Sequence, residues 1–219
     1  GSDVNDGAIK VSRAYTKKSK IIVFNNGYYG GTIGSMSMPK CGNESYEPFS
    51  KLLLKNLVSF KFFGNNKSDK KEYSKINLEK FLSESVDLND VSAVIIEPVL
   101  GDGGQLPALP EFINDLYKIS RKYKFLVISE EVQQGWYRTG KCFAIEHYGI
   151  VPDGMCLGKS LGAGLPLSMF IAKSEIIDTL EPFAHGFTLA GNHLSCAAGM
   201  AQFKYFQTNT FHKVLKSNI

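Results

Sequence analysis

A continuous apolar run that ends in two acids constrains the fold of this chain more than any other segment. Residues 125–128 read Phe-Leu-Val-Ile, and Glu130 and Glu131 follow one position later. Such a run, without polar alternation, is typical of a strand that is buried on both faces of a parallel sheet. Ligands of open α/β sheets bind at the carboxyl ends of the strands, so both acids are predicted to lie at a binding edge. A helix cap or a solvated loop acid is the alternative for each.

Further strand and helix patterns alternate along the chain, which predicts a mostly parallel sheet flanked by helices. Strands are expected at residues 21–24, 58–63, 91–99, 154–157 and 167–172. Helices are expected from a cap at Asp3 or Asn5 to Tyr15, and over residues 76–83, 110–123 and 192–206. The 219 residues are enough for one large α/β domain with a sizeable core.

Composition and charge argue against several classes of partner. Apolar content of 43% and charged content of 21% are ordinary for a globular protein. The net charge of +4 is spread out, and the densest basic run, residues 65–71, is interpreted as a solvated loop, so no nucleic-acid partner is expected. No apolar run is long enough to span a bilayer. Neither the histidines nor the cysteines have metal-ligand spacing, and reduced thiols in a cytoplasmic protein are expected for Cys41, Cys142, Cys156 and Cys196.

One lysine lies in a segment of small residues after a predicted strand. Lys159 belongs to Gly-Lys-Ser-Leu-Gly-Ala-Gly-Leu-Pro at residues 158–166. A lysine at a strand end among such residues can form a Schiff base with a carbonyl cofactor. A solvated surface lysine is the alternative for this residue taken alone, and the neighbouring motifs decide between the two.

Those motifs, in order, resemble the signature of the class III pyridoxal-phosphate (PLP) aminotransferases. They are Glu130 to Gln133, Gly135, Arg138-Thr139-Gly140, Pro152-Asp153 and 158–166, with 96–98, 101–104, 185–188 and 191–192 in addition, and residues 1–10 look like the phosphate-loop segment. The resemblance covers most of the chain and is least distinctive over residues 40–75. It implies the large domain of fold type I, an α/β fold with a mostly parallel, mixed seven-stranded sheet between helices. It also implies that residues 1–219 are a PLP-binding domain without the family's N-terminal segment and small C-terminal domain.

The resemblance implies roles for the residues around the cofactor ring. Lys159 is expected to form the Schiff base and then to act as the acid and base that moves the substrate proton. Glu130, which stands where the family usually has aspartate, is expected to pair with the pyridine nitrogen. Gln133 is expected to bind the ring hydroxyl, and Tyr28 to stack on the ring. Tyr29 stands where the family usually has histidine.

The resemblance also implies how the phosphate and the substrate are held. Gly1, Ser2 and Asp3 would bind the phosphate at a helix N-terminus, whose amides and dipole favour an anion. Thr188 would reach the phosphate in a neighbouring subunit, which implies a homodimer. Glu97 and Asp102 are expected near the substrate, and a structural salt bridge is the alternative for Glu97.

Three functions stay open at this point. The first is an aminotransferase of the 4-aminobutyrate or ornithine type, which passes an amino group from an ω-amino acid or amine to a 2-keto acid. The second is an amino-acid racemase or epimerase, which Gln133-Gln134-Gly135 and residues 190–192 favour. The third is an impaired relative or inactive fragment, which Glu130 and Tyr29 suggest. The first two use the same lysine and cofactor, so the cofactor motifs do not separate them.

Overall fold

The computed structural model describes residues 1–38 and 43–217. Its strands in this part of the chain are β1 (Lys20–Phe24), β2 (Leu57–Phe60), β3 (Val91–Ile96), β4 (Val99–Leu100), β5 (Leu106–Pro107), β6 (Leu126–Glu130), β7 (Gly154–Leu157) and β8 (Met169–Ala172). Its helices are α1 (Ser2–Thr16), α2 (Ile33–Met36), α3 (Lys67–Tyr73), α4 (Leu78–Ser83), α5 (Pro110–Tyr123), α6 (Ser174–Ile177), α7 (His193–Phe206) and α8 (Asn209–Ser217). Short 3-10 segments cover Asn43–Leu52, Leu88–Asp90, Ala144–Tyr148 and Lys159–Gly162.

The main sheet has the strand order β2-β1-β3-β6-β7-β8. The first five of these strands run parallel, and β8 pairs antiparallel with β7. The central pair places Ala93 opposite Leu126 and Ile96 opposite Ser129. The predicted mostly parallel, mixed α/β sheet is therefore confirmed, although six strands form it within the described residues where seven were expected.

The apolar runs form strands as predicted, but two of these strands end at other residues than expected. All six residues of β3 are buried, which agrees with packing on both faces. The strand predicted over residues 91–99 stops at Ile96, and Val99 begins β4. Pro98 between them has no N–H to donate to a strand ladder. The strand predicted from Phe125 continues through Glu130, so the first acid is the last residue of β6.

Each face of the sheet carries an apolar layer. On one face, Phe112 of α5 meets the rings of Phe24, Phe62, Phe63 and Tyr73 edge-on, at centroid distances from 5.1 to 6.0 Å. The other face is covered by the apolar residues of α1 and its neighbours, which include Val4, Ala8, Val11, Ile95 and Ile128. The sheet therefore lies between helical layers, and α1 is held against the strands that end at the pocket described below.

Two local predictions are wrong. Helix α1 begins at Ser2 with Gly1 as its cap, so Asp3 and Asn5 lie inside the helix and do not cap it. Residues 65–71 are not simply a solvated loop, because α3 begins at Lys67 within them. The Asn66 side chain caps α3 by accepting the Asp69 N–H at 2.9 Å, a local signal that outweighs the high charge of the segment.

Three of the four cysteines lie in the described residues and are free thiols, namely Cys142, Cys156 and Cys196, whereas Cys41 lies outside them.

Among the helices of residues 1–38 and 43–217, none has the length and apolar character needed to cross a membrane.

The aromatic cluster around Phe112 generates a stability prediction. Phe112 is fully buried, so Phe112→Ala should lower the free energy of unfolding by about 3–5 kcal/mol through lost burial and the cavity left behind. Urea unfolding followed by circular dichroism measures this change. Val151→Ala is the control, because Val151 is 81% exposed and the substitution should alter stability by less than about 0.5 kcal/mol. Equal losses in the two variants would contradict the placement of this core.

Candidate active site

A pocket lies where the carboxyl ends of β1, β3, β6 and β7 meet the N-terminus of α1. It is lined by Gly1, Ser2, Asn5, Tyr28, Tyr29, Gly30, Glu97, Asp102, Glu130, Val132, Gln133 and Lys159. The structure therefore brings together the predicted site residues with two exceptions, Asp3 and Thr188. Parallel strands place their carboxyl ends at one edge of the sheet, which explains the convergence.

Lys159 enters the pocket directly after β7. It is the first residue of a 3-10 turn and has a left-handed backbone with φ of +44°, a conformation that is costly for a residue with a side chain. Its Nζ donates a hydrogen bond to Oε1 of Gln133. Gly158 before it is packed closely, since a β-carbon there would lie 3.1 Å from Cγ1 of Val132. The amine of Lys159 thus faces the segment that follows β6.

The two acids after the apolar run have different environments. Glu130 lines the pocket, whereas the Glu131 carboxylate accepts the N–H groups of Ala144 and Ile145 at 2.9 and 2.8 Å and the Ser129 hydroxyl at 3.0 Å. Glu131 therefore anchors the first residues of the Ala144–Tyr148 turn. Burial raises the pKa of Glu131, and these three donors oppose the shift. Glu131 therefore acts as a cap for this turn, which was the alternative to a binding role. Glu130 is the acid that the sequence predicted at the cofactor.

Glu130 is 2% exposed and is held by a residue of α1. The amide nitrogen of Asn5 lies 3.3 Å from Oε1 of Glu130 and 2.7 Å from the carbonyl oxygen of Tyr29. Burial raises the pKa of Glu130 well above its usual range, and the nearby charge of Glu97 raises it further. The hydrogen bond from Asn5 acts in the opposite direction, because it favours the ionised carboxylate.

Glu97 joins two loops at the pocket wall. Its carboxylate accepts the backbone N–H of Tyr28 at 2.6 Å and of Gly101 at 2.8 Å. Burial raises the pKa of Glu97 to about 7, the two amides lower it, and the charge of Asp102 raises it. Glu97 therefore fixes the loop that carries the Tyr28 ring, and its acceptor bonds to backbone amides differ from the salt bridge considered as its alternative.

The first turn of α1 packs against the loop after β1. The Ser2 hydroxyl accepts the Gly31 N–H at 2.9 Å. Gly30 has φ of +130°, and a β-carbon at this position would lie 2.7 Å from the Cα of Ser2, so only glycine fits there. Tyr29 is buried beneath this loop, and burial raises the pKa of its phenol well above the usual value. Gly1 and Ser2 of this segment line the pocket, and the first N–H groups of a helix, which have no partner within the helix, can hold an anion there.

Asp3 and Thr188 lie outside this pocket. Asp3 is exposed on α1, and Thr188 is exposed in the stretch 186–190. The residues just before that stretch rest on α1: Lys10 Nζ donates to the Ala184 carbonyl at 3.0 Å, and a β-carbon at Gly7 would lie 2.8 Å from Nε2 of His185. The roles expected for Asp3 and Thr188 stay predictions.

Sequence reasoning missed Asn5 as a pocket residue and left Tyr29, Gly30 and Val132 without a role in the site. A signal for Asn5 was available, because residues three apart share a helix face and Ser2 was already expected at the phosphate. Val132 packs beside Gly1, whose β-carbon would lie 3.0 Å from its Cγ1. No sequence signal distinguishes that contact from ordinary core packing.

Comparison with known proteins identifies the family to which this chain is similar. The family model described as Aminotransferase class-III matches residues 1–217. An acetylornithine aminotransferase from Caldanaerobacter subterraneus subsp. tengcongensis is 38% identical over 208 residues, which cover 92% of this chain and 48% of the relative. A leucine/methionine racemase from Thermococcus litoralis is 36% identical over 212 residues, covering 92% and 46%. An ornithine aminotransferase structure from Toxoplasma gondii, described with partial occupancy of PLP at its active site, superposes with a TM-score of 0.79 at 26% identity, covering 98% and 49%.

This chain belongs to the class III aminotransferase family. It spans about half the length of the curated relatives it matches. Enzymes of this family use PLP, which confirms the cofactor expectation. The pocket fits that cofactor, because it combines an amine, a carboxylate, a carboxamide, an aromatic ring and a helix N-terminus. Over the described ranges, no cluster of three or more histidine, cysteine, aspartate or glutamate side chains is arranged to hold a metal ion.

The raised pKa of Glu97 predicts a pH dependence of stability. Because the folded-state pKa is about 7 and the ordinary value is 4.5, the stabilisation is complete below pH 4.5 and is lost as the pH rises through about 7. Relative to Glu97→Gln, the wild type should lose on the order of 3 kcal/mol of unfolding free energy across that interval. Urea unfolding across this pH range measures the difference. Glu84→Gln, an exposed control, should follow the wild type, and parallel curves for wild type and Glu97→Gln would contradict the assignment.

Proposed function

We propose that this chain is the cofactor-binding part of a PLP-dependent aminotransferase that passes an amino group to a 2-keto acid. The observation that carries the proposal is the meeting of Lys159, Glu130 and Gln133 in one pocket with the N-terminus of α1. Family membership supports the same chemistry. When bound, PLP supplies an electron sink that stabilises negative charge on the carbon beside the amino group.

The pocket residues have complementary roles in this proposal. The Lys159 amine would bind the cofactor through its aldehyde and would move the proton at the substrate carbon. The Glu130 carboxylate would accept a hydrogen bond from the protonated ring nitrogen, and the Gln133 amide would bind the ring hydroxyl. The Tyr28 side chain would stack on the ring, and Glu97 holds its loop by accepting the Tyr28 backbone N–H.

The phosphate site in this proposal is the first turn of α1. Gly1 and Ser2 line the pocket and contribute backbone amides, and the 15-residue helix directs its positive end toward the anion. Asp3 is proposed to contribute its backbone N–H from the same turn, since its side chain is exposed. Asp102 is exposed at the pocket rim, where it is proposed to meet the substrate.

The names of the relatives support a donor with an amino group distant from its carboxylate. Acetylornithine aminotransferase and LysW-aminoadipate semialdehyde transaminase are among these names, and the ornithine aminotransferase shares the fold. We therefore propose an ω-amino donor of the ornithine or 4-aminobutyrate type. A racemase is the second candidate, because a leucine/methionine racemase is 36% identical to the chain.

We further propose that the working protein is a homodimer in which Thr188 reaches the cofactor phosphate of the other subunit. Thr188 lies in an exposed stretch that shows large apolar side chains to solvent, namely Phe183, Phe187, Leu189 and Leu194. An exposed apolar surface of this kind is typical of a subunit interface. Dimerisation would cover this apolar surface and would bring Thr188 to the cofactor pocket of the other subunit.

The lysine assignment makes a spectroscopic prediction. Added PLP should give the visible absorbance band of lysine-bound cofactor in the wild type and no such band in Lys159→Ala, because the alanine variant has no amine to react. Lys173→Ala is the control, since Lys173 is an exposed lysine outside the pocket, and its spectrum should match the wild type. An unchanged band in Lys159→Ala would refute the cofactor assignment.

The reaction type is tested on the full-length protein with ornithine, 4-aminobutyrate and branched amino acids. Formation of a new amino acid from the 2-keto acid supports amino transfer. Optical inversion without amino transfer would instead support the racemase. Absence of both, together with intact PLP binding, would favour an impaired relative.

The dimer proposal predicts complementation between two inactive full-length variants. Lys159→Ala and Thr188→Ala should each lose most of their activity, by about tenfold or more, because each disables both sites of its own dimer. A mixed dimer has one site with both changes and one site with neither, so co-expression should restore activity. Failure of the mixture to exceed either variant alone would contradict the shared site.

A further inference from the structure

We propose that Asn5 is a positioning residue that aligns Glu130 with the ring nitrogen of the cofactor. The inference rests on the proposed function and adds a residue that the motifs did not assign. Asn5 is 1% exposed, lines the pocket and connects α1 with the end of β6. It would act through Glu130 and need not touch the reacting atoms itself.

The contacts of Asn5 determine which way its carboxamide faces. Its nitrogen lies 2.7 Å from the Tyr29 carbonyl oxygen, 3.3 Å from Oε1 of Glu130 and 3.5 Å from the Gly1 carbonyl oxygen. A backbone carbonyl can only accept a hydrogen bond, so the flipped amide would place oxygen against oxygen. The two shorter contacts take the two N–H bonds of the amide, and the bond to Tyr29 holds the group in place while it donates to Glu130.

Glu130 has a specific need for such an anchor. The family resemblance gives an aspartate at this position, so the carboxylate here stands on a side chain with one additional rotatable bond. Each additional bond costs conformational entropy when it is ordered. The Asn5 bond restricts that freedom before the cofactor arrives. It also favours the ionised form of Glu130, which is the form that accepts a proton-bearing ring nitrogen.

The position of Asn5 on α1 connects the two ends of the cofactor site. Gly1 and Ser2 at the start of this helix form the proposed phosphate site, and Asn5 follows within the next turn on the pocket side. One rigid helix thus sets the distance between the phosphate site and the carboxylate that meets the ring. Gly1 also accepts the backbone N–H of Asn5 at 3.2 Å, so loss of the Asn5 side chain should release the ring end and leave the phosphate site in place.

The inference is tested by comparing two cofactors on the full-length protein. PLP and its 1-deaza analogue, in which carbon replaces the ring nitrogen, share the aldehyde and the phosphate and differ in the group that meets Glu130. Equilibrium dialysis gives the ratio of their affinities in each variant. We expect Asn5→Ala to reduce the preference for PLP over the analogue by about tenfold, because it removes a hydrogen bond to a charged group.

Asn5→Leu and Ser12→Ala are the two comparison variants. Leucine has nearly the same size and shape as asparagine but carries no hydrogen-bond donor, so Asn5→Leu should lose the preference as well. Ser12→Ala removes a buried hydrogen bond of the same helix, from the Ser12 hydroxyl to the Ala8 carbonyl at 2.6 Å, without touching Glu130, and should keep the preference. Thermal unfolding of each variant shows whether it is folded, and Asn5→Leu provides the comparison if Asn5→Ala is not.

Each outcome decides the proposal. A selective loss of PLP preference in the Asn5 variants supports the positioning role. An equal loss of affinity for both cofactors, or a preference retained in a folded Asn5→Leu variant, would show that Asn5 only shapes the pocket and would overturn it. A wild type that binds neither cofactor overturns the proposed function and the role of Asn5 with it.

Discussion

The parallel pairing of β1, β3, β6 and β7 is the constraint on which the rest of the structure depends. Because these strands run in one direction, the residues that follow them meet at a single edge of the sheet. Tyr28, Glu97, Glu130 and Lys159 are distant in sequence and line the same pocket for this reason. Helix α1 closes the pocket from one side, since its apolar face packs on the sheet and its first turn reaches the strand ends.

The buried acids at this edge of the sheet are held by hydrogen-bond donors from neighbouring loops, strands and helix α1. Glu97 is held by two backbone amides, and Glu131 by two backbone amides and a serine hydroxyl. The donor that reaches Glu130 is the side chain of Asn5. Burial disfavours each ionised carboxylate, and each set of donors offsets part of that cost. Two acids thus have their carboxylates occupied by loop contacts, while Glu130 remains directed at the pocket.

Sequence patterns predicted the strands well and the local details less well. The buried strands predicted over residues 91–99 and 125–128 are confirmed, with the observed bounds Val91–Ile96 and Leu126–Glu130. The cap expected at Asp3 or Asn5 was wrong, because the chain already enters the helix at Ser2 and polar residues inside a helix resemble caps in sequence. The loop expected at residues 65–71 was wrong because the Asn66 cap stabilises a short helix in a charged segment. The charge of a segment does not predict a capping hydrogen bond such as the one that Asn66 accepts from the Asp69 N–H.

By itself, the sequence determined the class of the fold, because continuous apolar runs that alternate with helical patterns indicate a mostly parallel sheet. It also determined the family, since its ordered motifs resemble the class III aminotransferases and the family model matches residues 1–217. The family resemblance already pointed to Glu130 as the acid at the cofactor, but only the tertiary structure showed what holds each of the two adjacent acids. Their hydrogen-bond donors come from distant segments, Asn5 for Glu130 and Ala144 with Ile145 for Glu131. Hydrogen bonds between distant segments depend on how the helices pack on the sheet, and no local pattern contains that information.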